Sequence, residues 1–390
     1  MFASGRTWSL ALFVALLAAG GSAQAGWRTI ETDYYLIKTD LGDDVVQEAI
    51  LRTNVMVKVY FRYLGEGEHK LKEKLDLVLF SNRVEFVRAT GSRDCGGQYN
   101  GRQLLVYVGS RATEGDWATV QHEAFHQFAH RVMGGDIPTW ANEGLANYFG
   151  CALFTGDDYI LGAVPKKSWR KMQTLLNGNR LTPLGEFLQI SGKEWGHDMS
   201  IKSRAGRNYL QAWSVVYFLM HADNGKHRAD FRAFLRDTRE YPWRDAWARR
   251  FGEAVGPFDT AWKQYWKSFR DDPTENVRAE AIAATLTNYL ARAAACGQTF
   301  RNPGEFFAAG QAGGLRQPAG AWLPPRLIHA RVQDAMQLGT WTLAYVDGRA
   351  ELVCHTKRGW IAGGCFKIKN GEISDLQIKV VADPARQSLR

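Results

Sequence analysis

The 390-residue sequence has few cysteines, five in all: Cys95, Cys151, Cys296, Cys354 and Cys365. None falls at the close spacing of a cysteine-ligated metal site, and none has the surroundings of a catalytic thiol. Long apolar runs are also lacking. The one at Leu10 to Ala19 is too short to span a bilayer comfortably, so no integral membrane segment is expected in the mature chain. Internal repeats and recognised nucleic-acid-binding motifs are absent as well, although 49 Lys and Arg outnumber 40 Asp and Glu. The cations are spread through Lys166-Lys167, Arg170-Lys171, Lys202 to Arg207 and Arg249-Arg250. They favour anionic surroundings rather than nucleic acid in particular, and solubility alone would account for them.

The amino-terminal stretch has the form of a signal peptide. Arg6 supplies the positive region, Leu10 to Ala19 the apolar core, and Ala23-Gln24-Ala25 a small-residue cleavage site. The mature protein is therefore expected to begin at Gly26 and to be exported, to a periplasm or the exterior. Loss of Arg6 lowers the formal net charge from +9 to +8. In an oxidising compartment two disulfides are expected. Cys95 and Cys151 flank the central motif region, and Cys354 and Cys365 lie in consecutive strand-like segments. Cys296 is then left over, and the pairing stays open.

The most informative stretch is His122-Glu123-Ala124-Phe125-His126, an H-E-x-x-H pattern. Residues four apart share one face of an α-helix, so both imidazoles can reach one metal ion. Glu123 points elsewhere round the helix and can reach a water bound to that ion. Seventeen positions after His126 comes Glu143, within Pro138-Thr139-Trp140-Ala141-Asn142-Glu143-Gly144-Leu145-Ala146-Asn147-Tyr148-Phe149. Apolar residues at Val120, Ala124, Phe125, Phe128, Ala129 and Val132 keep helical spacing, with Asp116 as the expected N-cap and Gly134-Gly135 as the stop. Thr139 to Phe149 reads as a second, antiparallel helix returning Glu143 to the histidines. Asn147, four residues after Glu143, is a candidate to hold the free N–H of either histidine.

These segments resemble the gluzincin group of zinc metallopeptidases, in which a downstream helix supplies a glutamate as third ligand. The finer pattern, H-E-x-x-H-Q followed by P-x-W-x-x-E-G-x-A-x-Y-F, is similar to a poorly characterised family of secreted bacterial proteins regarded as peptidases. The resemblance spans about Tyr35 to Leu235. It implies His122, His126 and Glu143 as ligands of one Zn2+ per chain, with Glu123 as general base. Thermolysin-like relatives carry an aspartate one turn after the ligand glutamate; Asn147 stands there in this chain. The related families also have a Y-x-x-[AS]-W segment like Tyr209 to Trp213, which makes Tyr209 a candidate donor to a reaction oxyanion, although an aromatic stripe on a helix is more often core. In gluzincins a sheet-edge strand near the zinc pairs with substrate, so Gly97 to Tyr99 is a candidate cleft wall, with a plain glycine turn as the alternative.

Along the rest of the chain, Trp27 to Thr39 reads as a strand, Asp43-Asp44 as the cap of a long helix to about Leu64, and Leu75 to Phe80 and Gln103 to Val108 as further strands. Asp157 to Trp169 reads as a loop or hairpin near the cleft. Arg207 to Ala222 is a strong helix, followed by others to Phe269. Glu275 to Ala295 is an alanine-rich helix, Asn302 to Pro325 a Gly/Pro-rich stretch expected to be partly flexible, and the segments after Thr340 a small antiparallel sheet turning at Asp347-Gly348 and Asn370-Gly371.

The expected class is α+β: a zincin-like domain with a small mixed sheet over 26–200, a helical lobe over 201–272, and a carboxy-terminal region over 273–390. The leading functional expectation is a secreted zinc peptidase acting on a peptide or protein substrate. A non-catalytic binding or scaffolding protein of the same fold, and an amidase acting on cell-wall material, are the alternatives. An intact Glu123 argues against the first of these, since a structural zinc site has no use for that carboxylate.

Overall fold

A computed structural model of the chain describes residues 26–67, 71–270 and 273–384, so the signal peptide expected over residues 1–25 lies outside the described residues. The fold is α+β and divides into two compact units, one formed by residues 25–152 and 161–274, the other by residues 153–160 and 275–390.

The first unit opens on β1 (Arg28–Glu31) and β2 (Tyr35–Thr39), followed by α1 (Asp43–Leu64), β3 (Leu75–Phe80), α2 (Arg83–Thr90), β4 (Gly97–Tyr99) and β5 (Gln103–Tyr107). The opening segment is a hairpin of two antiparallel strands rather than the single strand expected, because the chain reverses between Thr32 and Tyr35. The sheet order is β1-β2-β3-β5-β4. Its centre, β2-β3-β5, is parallel, and both outer strands run antiparallel to their neighbours. Strand alternation turns Leu77, Leu79, Leu104 and Val106 to one face and Val78, Phe80 and Leu105 to the other, where Phe86 of α2 packs. The α1 helix starts at Gly42 without a side-chain cap, and Asp43 and Asp44 instead occupy its first turn, where acidic groups favour the helix dipole.

Two helices then carry the motif: α3 (Glu114–Phe128), which runs on as a π-helical turn over Ala129–Met133, and α4 (Thr139–Gly150). An aromatic cluster binds α1, α3 and α4 together. Tyr60 packs edge-on against Phe125 and Phe149 at ring separations of 5.7 and 4.8 Å, and its hydroxyl donates to the Gln121 carbonyl at 2.6 Å. The remaining helices are α5 (Lys166–Asn177), α6 (Leu184–Phe187), α7 (Gly192–Met199), α8 (Lys202–Gly225), α9 (Arg228–Asp237), α10 (Trp243–Phe251) and α11 (Val255–Ser268). Lys166 to Trp169 is thus helical, not part of a loop. Helical geometry in α8 breaks at Ala222, and Asp223 and Asn224 adopt left-handed conformations.

In the second unit the short hairpin β6 (Leu153–Phe154) and β7 (Tyr159–Ile160) packs against α12 (Glu275–Ala295). Asn288 of α12 donates to the Thr155 carbonyl and to the Asp157 carboxylate at 3.3 and 2.7 Å. The stretch expected to be partly flexible contains α13 (Pro303–Gln311), because Asn302 caps it and Pro303 suits a first helical turn. After α14 (Pro325–Leu338), strands β8 (Gly339–Val346), β9 (Arg349–Thr356), β10 (Trp360–Lys369) and β11 (Glu372–Ala382) form an antiparallel meander. Asp347-Gly348 and Asn370-Gly371 make its tight turns with positive φ, as expected. At Gly364 a side chain would run into Thr287, so glycine lets α12 lie directly on β10.

All five cysteines are free thiols, contrary to the two disulfides expected. Neighbouring strands do not suffice to pair Cys354 with Cys365, because the register sets Cys354 opposite Ala362 and Cys365 opposite Glu351. Among the described residues no helix is long and apolar enough to cross a membrane.

Candidate metal centre

The site begins with the capping of α3. Thr113 is the N-cap: its hydroxyl accepts from the Asp116 N–H at 3.2 Å, and the Asp116 carboxylate accepts from the Thr113 N–H at 2.8 Å. Asp116 is therefore the reciprocal partner in a capping box, three residues inside the position expected for it. At the other end the helix widens into the π-turn and stops at Gly134 and Gly135, both with positive φ. A side chain on Gly135 would meet the Thr238 carbonyl at 2.8 Å, so the turn packs directly on backbone from the end of α9.

Helix α4 returns beside α3 because small residues let it. A Cβ on Gly150 would stand 3.3 Å from the Ala118 carbonyl and 3.6 Å from His122 Cβ, both on α3. Gln121 reinforces the contact by donating to the Phe149 carbonyl at 3.0 Å. On its opposite side α4 meets α8 through Gly144, where a Cβ would fall 2.6 Å from the Ala212 carbonyl. The glycine next to Glu143 thus brings α8, and with it Tyr209, up to the site.

His122, His126 and Glu143 converge. The two Nε2 atoms are 3.2 Å apart, and Glu143 Oε2 lies 3.6 Å from the first and 3.5 Å from the second. The carboxylate contacts are too long for good hydrogen bonds, and Glu143 Oε2 is buried without a hydrogen-bond partner. Donors about 2.0–2.1 Å from one tetrahedral ion would stand about 3.3–3.4 Å from each other, so the triangle fits a single metal ion. The three side chains keep 14 to 18 % of their surface exposed, so the group is not sealed from solvent. Two imidazoles and a carboxylate form a donor set suited to a divalent transition metal.

The charges reinforce one another. Burial alone would lower the His126 pKa, but contact with Glu143, helped by Glu123 and Asn142, raises it above the ordinary value. Burial works against the Glu143 carboxylate too, yet His122 and His126 outweigh it and hold its pKa at about 2. The carboxylate is thus ionised and ready to bind a cation.

Around this triangle, Asn142 Oδ1 stands 3.2 Å from His126 Nδ1 and so fixes the ring that presents Nε2 inward. Asn147, the residue expected in that role, instead donates to the Glu143 carbonyl at 3.0 Å. Glu123 lies beside the edge strand β4 and accepts the Tyr99 N–H at 3.1 Å. That approach depends on Gly97, where a Cβ would come within 2.8 Å of Glu123 Cγ. The Tyr99 hydroxyl meets His130 Nδ1 on the π-turn at 2.7 Å, a contact the sequence reading did not foresee. Tyr209 packs edge-on at a ring separation of 6.1 Å from His122 and is backed by Trp195 of α7 at 5.5 Å. Burial, with the nearby Glu143 and Glu123 charges, raises its pKa well above the ordinary range, so its phenol keeps its proton.

Residues 116–243 match a family described as a protein of unknown function (DUF1570), and that third of the chain contains both histidines, Glu123, Glu143 and Tyr209. No curated protein matches the chain.

Proposed function

We propose that this chain is an exported zinc-dependent peptidase. The observation that carries the reading is the triangle of His122, His126 and Glu143, with Glu123 held at its side rather than within it. A purely structural zinc site ordinarily has four protein ligands, whereas this group has three and stays partly exposed.

Zn2+, when bound by these three residues, would acidify a coordinated water to a pKa near ~7 and polarise a substrate carbonyl. The remaining work falls to the chain itself. Glu123, oriented by the Tyr99 N–H, accepts the proton of the attacking water and delivers it to the leaving amine nitrogen. The water oxygen stays on the acyl carbon and the C–N bond breaks, giving a carboxylic acid and an amine. Tyr209, protonated throughout neutral pH, donates a hydrogen bond to the oxyanion that forms during the attack. An extended peptide would pair along β4, which ends the sheet beside β5, with the Tyr99 N–H there reserved for Glu123.

The test combines metal analysis with a peptide-library digest of the purified protein. Wild type is expected to carry about one zinc per chain and to cleave peptides. His126→Ala should lose the metal. Glu123→Gln should keep the metal while activity falls by about 10²–10⁴-fold. Full activity in metal-free protein, or an active Glu123→Gln variant, sinks the proposal.

A further inference from the structure

The helix α5 has a face that its own stability disfavours. Lys166, Lys167, Arg170 and Lys171 fall within six consecutive residues, and residues 166–177 include no Asp or Glu. Lys166 with Arg170 and Lys167 with Lys171 are like-charge pairs four apart, the spacing at which helix neighbours repel. Lys166 and Lys167 also stand in the first turn, where the helix dipole disfavours cations and where Pro165 supplies no side-chain cap. All four are exposed, and among the described residues none is in an ion pair.

One residue of this face is tied to α8, the helix that carries Tyr209. Lys171 Nζ donates to the Gly206 carbonyl of α8 at 2.8 Å, and Gly206 lies one turn before Tyr209, about 5 Å along the helix axis. Tyr209 in turn packs on His122. A chain that lies across Tyr209 and continues towards Gly206 therefore reaches Lys171, and α5 carries the other three cations in the five residues before it.

From this juxtaposition the geometry points to a substrate-recognition surface on α5 that takes an acidic polypeptide segment, Glu- or Asp-rich, flanking the bond to be cut. The inference rests on the peptidase reading of the neighbouring site. An anionic membrane is the less favoured partner, since interfacial helices pair their cations with exposed apolar anchors and α5 exposes no large apolar side chain.

The test measures binding without turnover. Full-length Glu123→Gln protein is titrated, by fluorescence anisotropy, into labelled twelve-residue peptides that are Glu-rich, Ser-rich or Lys-rich. The Glu-rich peptide is expected to bind about tenfold tighter than the Ser-rich one, an advantage that shrinks as NaCl is raised. A Lys166→Glu/Lys167→Glu/Arg170→Glu variant should lose the preference, and the salt dependence of the unsubstituted surface is an independent check should that variant misfold. Equal binding of the Glu-rich and Ser-rich peptides overturns the inference. So does capture by vesicles of anionic phospholipid with no preference among peptides. Failure of wild type to cleave any peptide, with the acidic preference intact, would strike the peptidase reading alone; cleavage without that preference would strike the recognition surface alone.

Discussion

Asn142 Oδ1 stands 3.2 Å from His126 Nδ1, whereas Asn147, on the same helix, spends its amide on the Glu143 carbonyl one turn earlier. The residue immediately before the carboxylate, not the one four after it, orients the His126 ring. Loss of such a partner typically weakens metal affinity by about 10–100-fold. Asn142→Ala is therefore expected to raise the zinc dissociation constant by that factor, while Asn147→Ala leaves it within about twofold. Competition with a chromogenic chelator measures both, and equal effects would refute the distinction.

The sequence carried the motif and its helices but not the direction of short side chains. Spacing was enough to place His122, His126 and Glu143 together, because two periodic helices joined by a short connection have few ways to pack. It was also enough to set the β3 strand at Leu75 to Phe80 and the two hairpin turns of the final sheet. The role of Asn142 is not legible from spacing, because residues adjacent in a helix point about 100° apart and its reach to His126 depends on how α4 is rotated against α3. Gly144 and Gly150 set that rotation, and their contacts with Ala212 and Ala118 join segments distant in sequence. Sequence alone does not tell Thr113 from Asp116 as the cap, since a capping box has two polar residues three apart and either resembles it. Tyr99 meets His130 on the π-turn that ends α3, and periodicity does not announce such a turn.

Gly144 allows no side chain. A Cβ there would lie 2.6 Å from both the Ala212 carbonyl and Val216 Cγ2. Because one of these neighbours is backbone, α8 itself must shift to make room. Gly144→Ala is expected to destabilise the fold by about 1–3 kcal/mol, and to reduce activity beyond that by displacing Tyr209. Chemical denaturation of the metal-free protein tests the first part, and an unchanged midpoint would count against close α4–α8 packing.

The thiols should differ in reactivity. Burial pushes Cys151 up to about 12; burial, together with the Glu275 charge, takes Cys354 to about 12 as well. Both thiols stay protonated at neutral pH and should react slowly with iodoacetamide in the folded protein. Mass spectrometry after brief alkylation at pH 8 is expected to find these two unmodified, and denaturation before alkylation should label all five cysteines. A disulfide-linked pair in the untreated protein would contradict the free thiols seen here.

Away from the metal centre, His221 should make stability depend on pH. Its ring stacks on Tyr217 at 4.5 Å, lies under Gly162, and faces the Tyr148 hydroxyl through Nε2 at 2.8 Å. Burial, with Arg228 adding to it, lowers its pKa from 6.5 to about 4. The sign follows from proton uptake. Between pH 4 and 6.5 the unfolded chain holds this proton and the folded chain does not, so acid favours unfolding. The contribution is complete above about pH 6.5 and disappears as pH falls towards about 4, on the order of 3 kcal/mol in all. Carboxylates such as Glu143, held at about 2, titrate mainly below this window. His221→Gln is accordingly expected to be less stable at pH 7.5 but to lose less of its stability on going to pH 5 than wild type does. Denaturation midpoints of metal-free protein at the two pH values measure the difference, and parallel losses in the two proteins would show that His221 is not the group responsible.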